Sequence, residues 1–133
     1  MSDIKSLMDF VKAAKSRIEE IPVSELESLI AQGYNILDVR EHDEYLQGTL
    51  PNALNLPRGM LEACCDANYP AKKEELMDRD KPWLVLCATS GRSAMATDVM
   101  MQMGFTNVKN INGGMAAIRD AAIDIIRPPL HQK

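Results

Sequence analysis

This 133-residue chain lacks long apolar runs: none approaches the ~20 residues that cross a bilayer, so no membrane span is expected. It also lacks an excess of basic residues. The net charge of −4, with no basic face, argues against a nucleic-acid partner. Histidine is scarce: His42 and His131 lie far apart and no Cys-x-x-Cys pair accompanies them, so a zinc site is not expected. The three cysteines are an odd number, and Cys64 and Cys65 are adjacent, which is no disulfide framework. They read as free thiols in a reducing compartment. The opening Met1-Ser2-Asp3-Ile4-Lys5 has no signal- or transit-peptide pattern, and the expected address is cytoplasmic. Internal repeats and low-complexity tracts are absent as well. What remains, 46% hydrophobic and 26% charged, suits one globular core.

Along the chain, apolar positions Ile4, Leu7, Met8, Val11, Ala14 and Ile18 make one helical stripe that Pro22 ends. Ser24-Glu25-Leu26-Glu27 has the form of a capping box, with a helix running to a stop at Gly33. Strands are expected at 35–39, 53–56, 83–86 and 107–111. Helical segments are expected at 41–47, 58–65, 73–77, 94–103 and 115–122. Arg127-Pro128-Pro129 closes the chain as an extended tail. Strands alternating with helices predict an α/β fold of three layers: a mostly parallel central sheet of four to five strands flanked by helices. In such sheets ligands bind at the carboxyl ends of the strands, where Asp38 and Cys87 both fall.

Cys87 carries the most chemical information. It follows the most apolar strand and precedes a loop, Ala88-Thr89-Ser90-Gly91-Arg92-Ser93, that leads into a helix. Unpaired N–H groups and the positive end of a helix dipole favour an anion there, and Arg92 adds a full charge. Four residues separate Cys87 from Arg92, with small Ala88 and Gly91 allowing a tight curl. A curl of this size suits one added sulfur on Cys87, a persulfide anion. Cysteine-based phosphoryl hydrolases use a loop one residue longer, Cys-x-x-x-x-x-Arg, and need a general acid.

With these residues in place the chain resembles the single-domain rhodanese family of sulfurtransferases, from about residue 22 to 122. The resemblance rests on ordered motifs: Leu37-Asp38-Val39-Arg40-Glu41 with Glu44-Tyr45, then Gly48-Thr49-Leu50-Pro51-Asn52-Ala53 and Asn55-Leu56-Pro57. These are followed by Leu86-Cys87-Ala88-Thr89-Ser90-Gly91-Arg92-Ser93, Met103-Gly104-Phe105-Thr106-Asn107-Val108 and Asn112-Gly113-Gly114-Met115. It implies a rhodanese-like domain at 22–133 behind an N-terminal helical extension at 1–21. It implies Cys87 as nucleophile. Ala88, Thr89, Ser90, Gly91, Arg92 and Ser93 would bind the substrate sulfur. A small anionic donor such as thiosulfate, or a persulfide, would deliver sulfur through Cys87 to cyanide or a thiol, with a protein persulfide as a further partner and with no metal or organic cofactor needed. The same resemblance leaves a binding or regulatory module with little turnover as the alternative, then a phosphatase or arsenate reductase. The sequence departs from the family's usual Gly-His-Ile-Pro-Gly-Ala at Thr49, Leu50 and Asn52, and from its late aromatic at Ile118; both changes are expected to affect packing.

For the remaining residues the plainer readings are preferred. Asp38 is expected to bond backbone at the strand end. Arg58 is expected to be solvated charge, and the methionines in 95–103 to fill core and interface. His42 and His131 are expected to be exposed and idle. Nothing in the sequence places Cys64 or Cys65 near Cys87.

Overall fold

The computed structural model describes residues 3–130. Its helices and strands are α1 (Leu7–Lys15), β1 (Glu20–Ile21), α2 (Leu26–Ala31), β2 (Asn35–Asp38), α3 (His42–Leu46), β3 (Leu54–Asn55), α4 (Leu61–Cys65), β4 (Trp83–Leu86), α5 (Gly91–Gln102), β5 (Val108–Ile111) and α6 (Gly114–Asp120). The five strands form one all-parallel sheet in the order β1-β5-β4-β2-β3. The α/β three-layer fold expected from the alternation is therefore present.

Side chains alternate across the strands and build two cores. Leu37, Val39, Val85 and Cys87 face one side, where α4 and α5 cover them through Leu61, Cys64, Cys65, Ala96 and Met100. Ile36, Leu84, Leu86 and Ile111 face the other, under Leu26 of α2 and Met115 and Ile118 of α6. All four residues of β4 are buried because this central strand is covered on both faces. Each large side chain so buried contributes about 1.5–3 kcal/mol relative to exposure. Ile118, where the family's usual aromatic is missing, is fully buried within the second core.

The structure corrects several local expectations. The first helix spans only Leu7–Lys15 because Ser6 starts it: the Ser6 hydroxyl accepts from Asp9 N–H (3.2 Å) and the Asp9 carboxylate from Ser6 N–H (2.8 Å). The box expected at Ser24 does not form. Ser24 lies inside a 3₁₀ turn, Val23–Glu25, and α2 starts without a side-chain cap. Residues 20 and 21 add an edge strand too short to leave a period-two signal. Beyond α6 the chain makes an antiparallel bridge, Thr49 to Ile126, with N–H···O distances of 2.9 and 2.8 Å.

Asp38 has a structural role, but only one of its bonds is the expected one to backbone; the others come from side chains. Its buried carboxylate accepts from Arg40 N–H (3.1 Å), Arg40 Nε (3.0 Å), Arg40 Nη2 (2.8 Å) and Thr49 Oγ1 (2.8 Å). Arg40 Nη2 also donates to the Gly48 carbonyl (2.7 Å), tying β2 to the turn after α3. Thr49 thus places a hydroxyl on a buried carboxylate. Removing one partner of a buried ion pair leaves the other charge uncompensated. Asp38→Ala is expected to lower unfolding free energy by about 3–5 kcal/mol in urea titrations. A loss below about 1 kcal/mol would show that the pair is not holding the strand end.

Candidate active site

Cys87 leaves the carboxyl end of the central strand and is 1% exposed. The next six N–H groups, of Ala88, Thr89, Ser90, Gly91, Arg92 and Ser93, donate to no acceptor among the described residues. Intrahelical bonding begins with Ala94, which donates to the Ser90 carbonyl at 2.9 Å. The loop and the first turn of α5 thus present a run of unused donors at the positive end of a 12-residue helix. The Ser93 hydroxyl lies 3.1 Å from Cys87 Sγ and 3.3 Å from the Ser90 carbonyl. It has one proton, which a sulfur anion would draw towards itself. The arrangement can hold negative charge on Cys87 and on an atom attached to it.

The loop's shape comes partly from outside the loop. Met115 N–H donates to the Cys87 carbonyl (2.9 Å) and Ala116 N–H to the Ala88 carbonyl (3.1 Å). This contact requires glycine at Gly114, where φ is +55°: a Cβ there would collide with the Cys87 carbonyl oxygen and stand 2.8 Å from the Ala88 carbonyl group. Gly114 is a site residue that sequence reasoning carried only as part of the Asn112-Gly113-Gly114-Met115 motif. The signal was its pairing with Gly113, but nothing local showed what it approached. Within the loop, the positive φ falls on Ser90 (+140°) and not on Gly91. A serine so held costs about 1–3 kcal/mol and persists only where neighbours over-determine it. The Asn110 amide (3.4 Å to the Ser90 carbonyl) and Lys15 Nζ (2.9 Å to Ser90 Oγ) are two such neighbours.

Arg92 does not stand free. Its Nη1 and Nη2 donate to the two Glu44 carboxylate oxygens at 2.7 and 3.0 Å. The bond from Arg92 pulls the Glu44 carboxyl down to about 2, against the opposing effect of burial. The Arg92 guanidinium is raised, chiefly by that same bond, with the Cys87 charge a smaller contributor. Two of its five N–H groups serve Glu44.

Of the other candidates, Arg58 pairs with Glu62 at 3.0 Å. Cys64 and Cys65 are buried in the same apolar core as Cys87, closer company than the sequence suggested. Burial pushes the Cys65 thiol up to about 11, which keeps it protonated. His42 is half-buried, unlike the exposed residue expected. Its Nδ1 lies 3.0 Å from Asn55 Oδ1 and its ring stacks on Tyr45. It also borders a cleft of about 400 Å³ with Met60, Cys64 and Lys73. His131 lies outside the described residues.

The model of the rhodanese-like domain matches residues 22–121. This chain belongs to the rhodanese-like family. A thiosulfate:glutathione sulfurtransferase of Homo sapiens is 34% identical over 101 residues, covering 70% of this chain and 86% of that protein. The solved structure of a human single-domain sulfurtransferase superposes with a TM-score of 0.64 at 27% identity, over 75% of this chain and 95% of its own. A Rhodopseudomonas palustris protein of unknown function, described as a possible tyrosine phosphatase, superposes with a TM-score of 0.86 at 30% identity. That match covers 95% of this chain and 98% of the other, too much to leave out α1.

Two outcomes follow for this rhodanese-like site. Gly114→Ala is expected to destabilise the fold by about 1–3 kcal/mol and to slow alkylation of Cys87, read by denaturation and peptide mass spectrometry; unchanged alkylation would free the loop from α6. The lowered Glu44 group contributes stability that is present above its unfolded value and lost as pH falls through about 2. Wild type should therefore exceed Glu44→Gln at neutral pH, by under about 1 kcal/mol because the pair is about a third exposed. The gap should close between about pH 4.5 and 2; a gap constant with pH would assign the effect to packing.

Proposed function

We propose that this rhodanese-like protein is a sulfurtransferase that carries a sulfane sulfur as a persulfide on Cys87. The observation that carries the reading is the run of six unused main-chain donors that begins immediately after Cys87, with the Ser93 hydroxyl 3.1 Å from its sulfur. The similarity to the human thiosulfate:glutathione sulfurtransferase points to thiosulfate as a donor and a thiol as an acceptor.

In the first half-reaction the Cys87 thiolate attacks the outer sulfur of thiosulfate. The sulfur–sulfur bond of thiosulfate breaks, and sulfite leaves with the bonding electron pair. Cys87 is left as a persulfide anion, so total charge is conserved. The loop N–H groups take up the charge on the added sulfur as it develops. The three N–H groups that Arg92 keeps outside its Glu44 pair can hold the anionic donor at the mouth. In the second half-reaction cyanide or a thiolate attacks the outer sulfur and Cys87 leaves as thiolate. The products are thiocyanate or a new persulfide. Sulfur moves without an external oxidant, and the covalent intermediate makes the kinetics ping-pong.

The phosphatase reading attached to the Rhodopseudomonas palustris structure fits less well. Only four residues separate Cys87 from Arg92, and Arg92 is already gripped by Glu44. A binding module with little turnover would have no use for a buried thiol among free donors.

Incubation with thiosulfate is expected to add one sulfur atom to the Cys87 peptide by mass spectrometry. Cys87→Ser should abolish thiosulfate:cyanide transfer with the fold retained by circular dichroism. Addition at Cys64 or Cys65 instead, or wild-type turnover by Cys87→Ser, would reject the assignment.

A further inference from the structure

Helix α1 precedes the residues matched by the family model, yet its last residue touches the loop that carries Cys87. We propose that Lys15 is a positioning residue of the active site: its ammonium holds Ser90 in the positive-φ conformation that leaves the loop N–H groups unpaired and Ser93 beside the sulfur. The proposal rests on the sulfur-transfer reading and extends the site to the N-terminal helix.

Ser90 is the one residue of the loop with a positive φ, and it is 7% exposed. Its contacts come from three separate elements. Lys15 Nζ donates to its hydroxyl oxygen at 2.9 Å. The Asn110 amide on β5 lies 3.4 Å from its carbonyl oxygen, and Ser93 Oγ on α5 lies 3.3 Å from the same atom. The contacts are also joined to one another. Glu20 on β1 sits 3.5 Å from Lys15 Nζ and accepts from Asn110 Nδ2 at 2.8 Å. Ser93 is the residue whose hydroxyl lies 3.1 Å from Cys87 Sγ. A chain of polar contacts therefore runs from Lys15 through Ser90 and Ser93 to the sulfur, with the single Ser93 proton shared between the Ser90 carbonyl and Cys87 Sγ.

The helix that bears Lys15 is firmly seated. Val11 and Ala14 are buried, and Val11 packs over Gly91. Just past the helix, Arg17 grips Asp98 of α5 with hydrogen bonds of 2.9 and 2.7 Å. Lys15 thus reaches Ser90 from a fixed base, and its side chain is only 32% exposed. It also leaves two cations on the loop: Lys15 at Ser90, and Arg92 at the start of α5. Arg92 is shared with Glu44 and Lys15 with Glu20, so the loop receives oriented donors more than net charge.

The test compares wild type with Lys15→Met, Lys15→Arg, Ser90→Ala and the Lys15→Met/Ser90→Ala double variant. Iodoacetamide alkylation is followed at the Cys87 peptide at one fixed pH, alongside kcat and KM for thiosulfate with cyanide. Lys15→Met is expected to slow alkylation and lower kcat by about three- to tenfold with KM little changed, because Lys15 acts through Ser90 and not on the donor. Lys15→Arg should recover most of the loss. The double variant should be no worse than the more affected single variant, as required of two residues on one path. Wild-type alkylation by Lys15→Met, or single effects that multiply in the double variant, would overturn the proposal. A thermal midpoint lowered by more than about 3 °C with unchanged alkylation would make Lys15 a packing residue and overturn it equally. Absence of thiosulfate turnover in wild type would strike at the sulfur-transfer reading instead, and alkylation would still decide the role of Lys15.

Discussion

The site depends on two hydrogen bonds that never touch the sulfur. Met115 and Ala116, at the start of α6, donate to the carbonyls of Cys87 and Ala88. In a planar trans peptide the carbonyl and the following N–H point in opposite directions. Fixing those two carbonyls towards α6 turns the N–H groups of Ala88 and Thr89 the other way. The orientation of the loop is thus set by a neighbouring helix, and the neighbour can come close only because residue 114 has no side chain. A loop of this length left to itself would be free to satisfy its N–H groups with its own carbonyls. The contact with α6 removes that choice.

Charge in the site is balanced before any substrate arrives. Arg92 is held by Glu44, whose carboxylate also accepts from Glu41 N–H and so caps α3. Lys15 is held between Ser90 and Glu20. What remains unbalanced is a set of dipoles: six N–H groups, one hydroxyl and the end of a helix. Dipoles already oriented stabilise a developing anion without reorganising, and they do so most strongly where water is excluded, as around Cys87, which is 1% exposed.

Behind the site, Asp38, Arg40 and Thr49 form a buried polar cluster that fixes the end of β2 to the turn at Gly48. Val39 N–H then donates to the Leu86 carbonyl at 2.9 Å, so the strand end that launches Cys87 is held from this side as well. The departure from the family pattern at Thr49 is therefore chemically active in the structure: a hydroxyl completes the bonding of the Asp38 carboxylate.

Much of this was readable from residue order. The apolar run Trp83-Leu84-Val85-Leu86, closed by a cysteine and a glycine-containing turn, could hardly be anything but a buried strand feeding a helix. Alternation of such strands with helices pointed to a mostly parallel sheet, and all five strands are parallel. These are local properties, fixed by side-chain period and by the conformations each residue permits. Contacts between distant segments were not readable. Gly114 under Cys87, Glu44 on Arg92, Lys15 on Ser90 and the positive φ of Ser90 all join residues that no spacing rule connects. Each depends on where two elements come to rest once both cores have packed. The chain's own pattern thus singled out Cys87 and the loop after it as the candidate site, while packing chose which neighbours hold that loop open.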